Sequence, residues 1–302
     1  MSGRLERFAA GARRRAEAMR AEARSAAGAR SPATAERLAG APPSTGPLPA
    51  TATGPPAART SRDPGPAVRG ASLAGPRPAR GPDRFPAALA GRDRVCVVAE
   101  IKRRSPSRGV LVPALDVAAR ARAYAHGGAA AISVLTEPEH FGGSLDDLRA
   151  VAEAVEVPVL MKDFVVDPIQ IERGAAAGAA AVLLIARLLS PDRLGELVAA
   201  ADGCGVAALV ECRDALELEH ALHHGGVLVG VNNRDLETLV VEPSRAVRLL
   251  AGVPPGRVTV AESGYATRAQ LETLAGIADA ALVGTSLMTA DDVGAHLRGL
   301  LG

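Results

Sequence analysis

Of the 35 Lys and Arg residues in this 302-residue chain, only two are lysine, Lys102 and Lys162. A sequence that uses arginine almost everywhere a surface cation would serve keeps lysine where a guanidinium cannot replace it. An ammonium can give up its proton when buried, whereas arginine stays charged in proteins. Each lysine ends a short apolar run, which points to acid–base or point-charge chemistry. Codon bias with two accidental survivors is the competing explanation, and the company the lysines keep argues against it. Glu100 lies two residues before Lys102, on the same side of any strand that carries both. Glu211, Asn232 and Glu262 close three further apolar runs, and Arg234 follows Asn232 by two. Buried charge is costly unless paired, so a core kept for stability alone has no use for this set.

The elements that would bring these residues together recur in a regular rhythm. From residue 95 onward eight apolar runs alternate with helix-compatible stretches: 95–101, 130–135, 157–161, 180–185, 206–210, 227–231, 257–261 and 280–283. Their near-continuous apolar character fits parallel strands covered on both faces. Helix starts lie between them, such as Pro168 after Asp167 and Pro191-Asp192 after Ser190. Eight such units over residues 85–302 match an α/β (β/α)8 barrel. A doubly wound open sheet is the alternative, but its early glycine fingerprint is missing. In a barrel, catalytic groups sit at the C-terminal strand ends, where Glu100, Lys102, Lys162, Glu211, Asn232 and Glu262 all fall. Ser263-Gly264 and Gly284-Thr285-Ser286 follow the last two strands, the usual phosphate-holding loops of that fold. A short helix after strand eight would aim its N-terminus at the same point.

The chain ahead of the barrel is different in kind. Residues 1–94 carry 17 Arg against seven acidic residues, while the remainder is net negative within a total of +2. Residues 1–25 read as a basic, solvated amphipathic helix over 3–24, with Glu6, Glu17 and Glu22 spaced to pair with its arginines. Residues 26–84 are rich in Pro, Gly and Ala without apolar periodicity, and read as disordered. No aromatic residue is interleaved with Arg13, Arg14 and Arg15, which disfavours a nucleic-acid arm. The longest apolar stretch, 175–186, is too short to span a membrane, and no secretory signal is visible. Cys96, Cys204 and Cys212 have no metal-like spacing and fit a reducing cytoplasm. His220 and His224 lie one helical turn apart with no third ligand nearby, so an exposed helix end is expected there rather than a metal. The expected partner is a small molecule, and the expected assembly a monomer or weak homo-oligomer.

Ala99-Glu100-Ile101-Lys102-Arg103-Arg104-Ser105-Pro106-Ser107 resembles the first-strand signature of the indole-3-glycerol-phosphate synthase family. Met161-Lys162-Asp163-Phe164, Val231-Asn232-Asn233-Arg234-Asp235-Leu236, Ala261-Glu262-Ser263-Gly264 and Val283-Gly284-Thr285-Ser286-Leu287-Met288 are similar to its later signatures, in the same order. Leu135-Thr136-Glu137 with Phe141-Gly142-Gly143-Ser144 is similar to the loop after its second strand. The resemblance implies tryptophan biosynthesis: conversion of 1-(2-carboxyphenylamino)-1-deoxyribulose 5-phosphate to indole-3-glycerol phosphate, carbon dioxide and water, without metal or organic cofactor. It implies Lys162, with a lowered pKa, as the acid of ring closure. Lys102 would hold the substrate carboxylate and serve the dehydration, with Glu211 as general base. Glu100 and Asn232 would orient lysines and substrate hydroxyls, and Glu262 matches a further active-site carboxylate. Phe141 and Phe164 would pack on the anthranilate ring, and Ser105 and Arg234 would also touch substrate. Ser263, Gly264, Gly284 and Thr285 would hold the phosphate.

Arg213 stands where the family usually has His, and Arg108 where Lys is common. Residues 3–24 resemble the family's leading helix, and the long segment after it could uncouple that helix from the barrel. Two other functions stay open on the sequence. One is a phosphoribosyl anthranilate isomerase, disfavoured because that chemistry is associated with a Cys and Asp pair, whereas strand one ends in Glu100 and Lys102. The other is a specialised or non-catalytic paralogue whose basic head recruits a partner.

Overall fold

A strand's two-residue period sends alternate side chains to opposite faces, and here both faces are apolar, as a sheet closed on itself and wrapped by helices requires. The computed structural model describes residues 3–28, 81–225 and 227–302. Eight parallel strands form the barrel: β1 Cys96–Ile101, β2 Ala131–Leu135, β3 Val159–Lys162, β4 Ala181–Ile185, β5 Ala207–Cys212, β6 Leu228–Asn232, β7 Thr259–Glu262 and β8 Ala280–Val283. β8 closes the ring on β1, with Cys96 opposite Ala280 and Ala99 opposite Val283. Val97, Ala99 and Ile101 of β1 face the surrounding helices, while Val98 joins Ala131, Leu160, Leu183, Leu209, Leu228, Val260 and Leu282 in the barrel interior.

Four strands run one or two residues past the apolar runs, so that Lys162, Glu211, Asn232 and Glu262 lie within them. The ladder is made by backbone groups and continues with Leu135 opposite Lys162, Ile185 opposite Glu211 and Asn232 opposite Glu262. A polar side chain pointing into the mouth does not interrupt it.

Two helices precede the barrel, α1 Arg4–Gly28 and α2 Arg84–Leu89. Phe85 and Leu89 of α2 are fully buried in the interior cluster just before β1 begins. Of the segment 26–84, residues 29–80 lie outside the described residues; its two ends are helical, since α1 reaches Gly28 and α2 starts at Arg84.

The structure corrects the reading of the basic head as a solvated, uncoupled helix. Leu5, Phe8, Ala9, Ala12 and Ala16 recur at helical spacing and are all buried. The arginines reach carboxylates of the barrel loops: Arg15 lies 2.6 Å from Asp163 and 3.3 Å from Glu137, Arg14 lies 3.4 Å from Glu139, and Arg20 pairs with Asp167. Glu237, in the loop after β6, accepts the first helical N–H groups, from Arg4 at 2.7 Å and Leu5 at 2.9 Å. Those donors have no partner inside the helix, so a carboxylate there supplies a cap from a distant part of the chain.

Among the described residues no helix is long and apolar enough to cross a membrane. Cys96, Cys204 and Cys212 are free. Among those residues the grouping with metal-like proximity is Glu137, Glu139 and His140, and neither His220 nor His224 belongs to it.

Arg15→Ala tests the docking of α1. It leaves Asp163 and Glu137 with little water and without that cation. Breaking a buried pair from one side costs about 3–5 kcal/mol, and partial exposure of Arg15 reduces our expectation to about 2 kcal/mol, read as a lower denaturant midpoint at neutral pH. Burial, against the pull of Arg15, holds the Asp163 carboxyl above its ordinary value. That carboxyl is therefore neutralised early on acidification, and the difference between variant and parent should shrink as pH falls.

Candidate active site

The C-terminal ends of the strands surround a cavity of about 490 Å³. Inward alternation from Val98 brings Glu100 and then Lys102 to its wall, and the same alternation brings Lys162 after Leu160, Asn232 after Gly230 and Glu262 after Val260. Ser105, Phe141, Arg234, Ser263, Gly264, Gly284 and Thr285 complete much of the lining. The structure thus brings together every expected site residue except two. Glu211 stands behind Lys162, beside a pocket of about 10 Å³ bordered also by Leu5, Arg213 and Asp235. Phe164 is covered by Phe8 of α1, the rings stacked 4.4 Å apart at 15°. Phe8 itself lines the cavity, and Phe141 lies 6.3 Å from Phe164.

Lys162 is the centre of the charge arrangement. Its Nζ donates to Glu262 Oε2 at 2.6 Å and lies 3.6 Å from Glu211 Oε2. Burial alone would lower its pKa, as expected from the sequence. The facing charges of Glu262, Glu211 and Glu100 outweigh burial and hold the ammonium above its ordinary value. The expected lowered pKa is therefore corrected: Lys162 is a protonated group held by carboxylates. Glu211 goes the other way, pushed up to about 8 by burial and by the neighbouring Glu262. Glu100 accepts a bond from Lys102. Burial raises the Glu100 carboxyl, but the Lys102 and Lys162 charges and that bond leave it below its ordinary value.

Two glycines make room for these carboxylates. A Cβ on Gly230, opposite Glu211 in the ladder, would lie 2.7 Å from Glu262 Oε1. A Cβ on Gly284 would overlap Glu100 Oε1 and approach Lys102 Nζ to 2.8 Å. Gly284, expected only as a phosphate contact, thus also shapes the Glu100–Lys102 pair.

The loops supply the rest. Arg104–Ser105 pairs with Gly109–Val110 as a short hairpin, in which the Ser105 hydroxyl accepts the Arg108 N–H at 3.1 Å. Arg234 is anchored through its own N–H to Asn232 Oδ1 at 2.9 Å and through its guanidinium to Leu239 O at 2.9 Å. Ser263 and Gly264 are consecutive left-handed residues, at φ 64° and 94°. For Ser263 that conformation costs roughly 1–2 kcal/mol, so the surroundings must enforce it. The helix after β8, Thr285–Met288, is only four residues long. Arg213, the departure from the histidine that the resemblance implies, pairs with Asp235.

Sequence reasoning missed Phe8 and Gly230. The stripe of Leu5, Phe8, Ala9 and Ala12 was a signal for a buried helix face. A glycine between Val229 and Val231 was a signal for close approach inside a strand.

A (β/α)8 barrel with lysines paired to buried carboxylates at its mouth has the architecture of a barrel enzyme. The family model for indole-3-glycerol phosphate synthase matches residues 72–300, and the chain belongs to that family. It is 49% identical over 211 residues to a protein of that name from Deinococcus radiodurans, covering 69% of this chain and 78% of the relative. It is 46% identical over 217 residues to one from Syntrophobacter fumaroxidans, covering 71% and 82%. Over 223 residues it is 46% identical to indole-3-glycerol phosphate synthase 2 of Streptomyces coelicolor, covering 73% and 86%. Among solved structures, a tryptophan synthase subunit alpha from Legionella pneumophila superposes with a TM-score of 0.53 at 16% identity, over 72% of this chain and 96% of that one. That likeness concerns the fold.

Gly284→Ala should displace the Glu100 carboxylate and the Lys102 ammonium while leaving the barrel folded. A shift of about 1 Å in catalytic groups costs about 10²-fold, so we expect turnover to fall by that order with little change in thermal midpoint. Full activity in this variant would show that the fit of the pair to Gly284 is not needed.

Proposed function

We propose that this chain closes the indole ring, converting 1-(2-carboxyphenylamino)-1-deoxyribulose 5-phosphate to indole-3-glycerol phosphate, carbon dioxide and water. The observation that carries the reading is Lys162, held protonated by Glu262 and Glu211 on the wall of a 490 Å³ cavity. Lys102, Lys162, Arg108 and Arg234 line the cavity with two carboxylates, Glu100 and Glu262, while Glu211 behind Lys162 is pushed toward its neutral form. The resulting positive excess suits a substrate that carries both a carboxylate and a phosphate.

In the first step the ring carbon bearing the carboxylate bonds to the ketone carbon, and the Lys162 ammonium protonates the ketone oxygen. The carboxylate then leaves as carbon dioxide, and its bonding electrons restore the aromatic ring. Dehydration follows: Lys102 protonates the departing hydroxyl, and the neighbouring ring carbon loses its proton to the Glu262–Glu211 pair. Glu262 is the member at the wall, and Glu211 stands behind Lys162. The pair lies within reach of Lys162 and returns a proton to it. The balance is one proton consumed per ionised substrate carboxylate, drawn from solvent. Glu100 and Asn232 orient the lysines and substrate hydroxyls. Phe141, together with Phe8 and the Phe164 ring beneath it, packs on the anthranilate ring, and Ser105 closes the same end. Ser263, Gly264, Gly284 and Thr285 hold the phosphate, with Arg234 adding charge. The free cysteines suit a reducing cytoplasm.

The test is appearance of indole-3-glycerol phosphate fluorescence from the carboxyphenylamino substrate; a folded protein without turnover would sink the reading. Lys162→Arg keeps the charge but not the proton donor, so turnover should drop by about 10²-fold or more. With Glu211 raised to about 8, its basic form grows as pH rises. We therefore expect kcat/KM to climb with pH and level off above about 8, and Glu211→Gln to lower the plateau and flatten the climb.

A further inference from the structure

We propose that Asn233 is a positioning residue for the phosphate end of the substrate: its buried amide holds the Ser263–Gly264–Tyr265 turn in its left-handed conformation. The inference rests on the reading above, in which that turn receives the phosphate. Asn232 and Asn233 are adjacent at the end of β6, and strand alternation separates them. Asn232 lines the cavity, whereas Asn233 is fully buried.

The orientation of the Asn233 amide follows from its partners. The Ala246 N–H can only donate, so the atom 2.8 Å from it is Oδ1. Nδ2 therefore faces Ser263 O at 3.0 Å and Tyr265 Oη at 3.1 Å, and donates to both. The backbone completes the tie: Asn233 N donates to Glu262 O at 2.9 Å, and Asn233 O accepts from Glu242 N at 2.9 Å. One side chain thus links the helix Ser244–Leu250 to both ends of the turn after β7. Ser263 has a Cβ and still sits at φ 64°, a conformation that persists only when its surroundings impose it. The grip on its carbonyl is such a restraint.

Aspartate has the same shape as asparagine but no donor, so Asn233→Asp would set an oxygen against the Ser263 carbonyl. We expect its KM for the phosphorylated substrate to rise about tenfold or more, with kcat within about threefold of the parent. Inorganic phosphate should inhibit it correspondingly less. For the same substrate lacking its phosphate, variant and parent should have equal kcat/KM. An unchanged KM, or an equal loss on both substrates, would overturn the proposal. If the aspartate variant does not fold, Asn233→Ser, uncharged and too short to reach Ser263 O, takes its place in the same comparisons. A parent that binds inorganic phosphate but does not turn over the substrate refutes the proposed reaction; direct phosphate titration of parent and variant then decides on Asn233 alone.

Discussion

Lys162 is sealed from most of the water an ammonium requires, and the rest of the site follows from keeping it charged. A buried cation is tolerated only with counter-charges at bonding distance. Glu262 at 2.6 Å and Glu211 at 3.6 Å provide them, with Glu100 adding its field from further off. These four residues come from β3, β7, β5 and β1, the odd-numbered strands. In a barrel of this kind each interior layer takes its side chains from alternate strands. The charged set therefore occupies the place of one packing layer, the last before the mouth. Closure of the barrel is what brings β1, β3, β5 and β7 around one point, so charge pairing and fold depend on each other.

A layer of long charged side chains needs space that an ordinary core layer would fill. The even-numbered side gives it up. Gly230 on β6 and Gly284 directly after β8 have no Cβ to collide with Glu262 and Glu100. On β2, Ser133 faces the interior next to Glu100, fully buried, with no partner for its hydroxyl among the described residues. Above the layer, Phe8 stacks on Phe164 and excludes water from the side of β3. The helix that carries Phe8 is held by Arg15 to Asp163, the residue directly after Lys162. A surface-looking basic helix is in this way part of what covers the barrel beside Lys162, whose charge the facing carboxylates maintain.

Much of this was legible in the sequence. The barrel was visible because parallel strands covered on both faces are nearly continuous in apolar residues, and the mouth was visible because polar residues ended those runs. The parts that were not legible depend on distances between segments remote in the chain. Arg15 reads as a partner for glutamates one helical turn away, and only closure of the barrel puts Asp163 and Glu137 beside it. Lys162 reads as a buried lysine with a lowered pKa, because the sequence places three glutamates at the same mouth but not their distances from its ammonium. Glu211 and Phe164 occupy strand-end positions like the others, but one lies behind Lys162 and the other beneath Phe8. Position along a strand fixes the direction of a side chain and says nothing of what covers it.

The site divides its residues between two kinds of support. Groups that would move protons sit in or at the ends of strands, where a continuous ladder fixes each backbone position. Such elements place a side chain more accurately than a loop can. The residues proposed to receive the phosphate sit in turns, where no ladder holds the backbone. There the restraint comes from side chains outside the barrel wall, as when Asn233 bonds the Ser263 carbonyl. The period of the strand makes that division possible at a single step in the chain: Asn232 turns inward to the cavity, and its neighbour turns outward to brace the next loop.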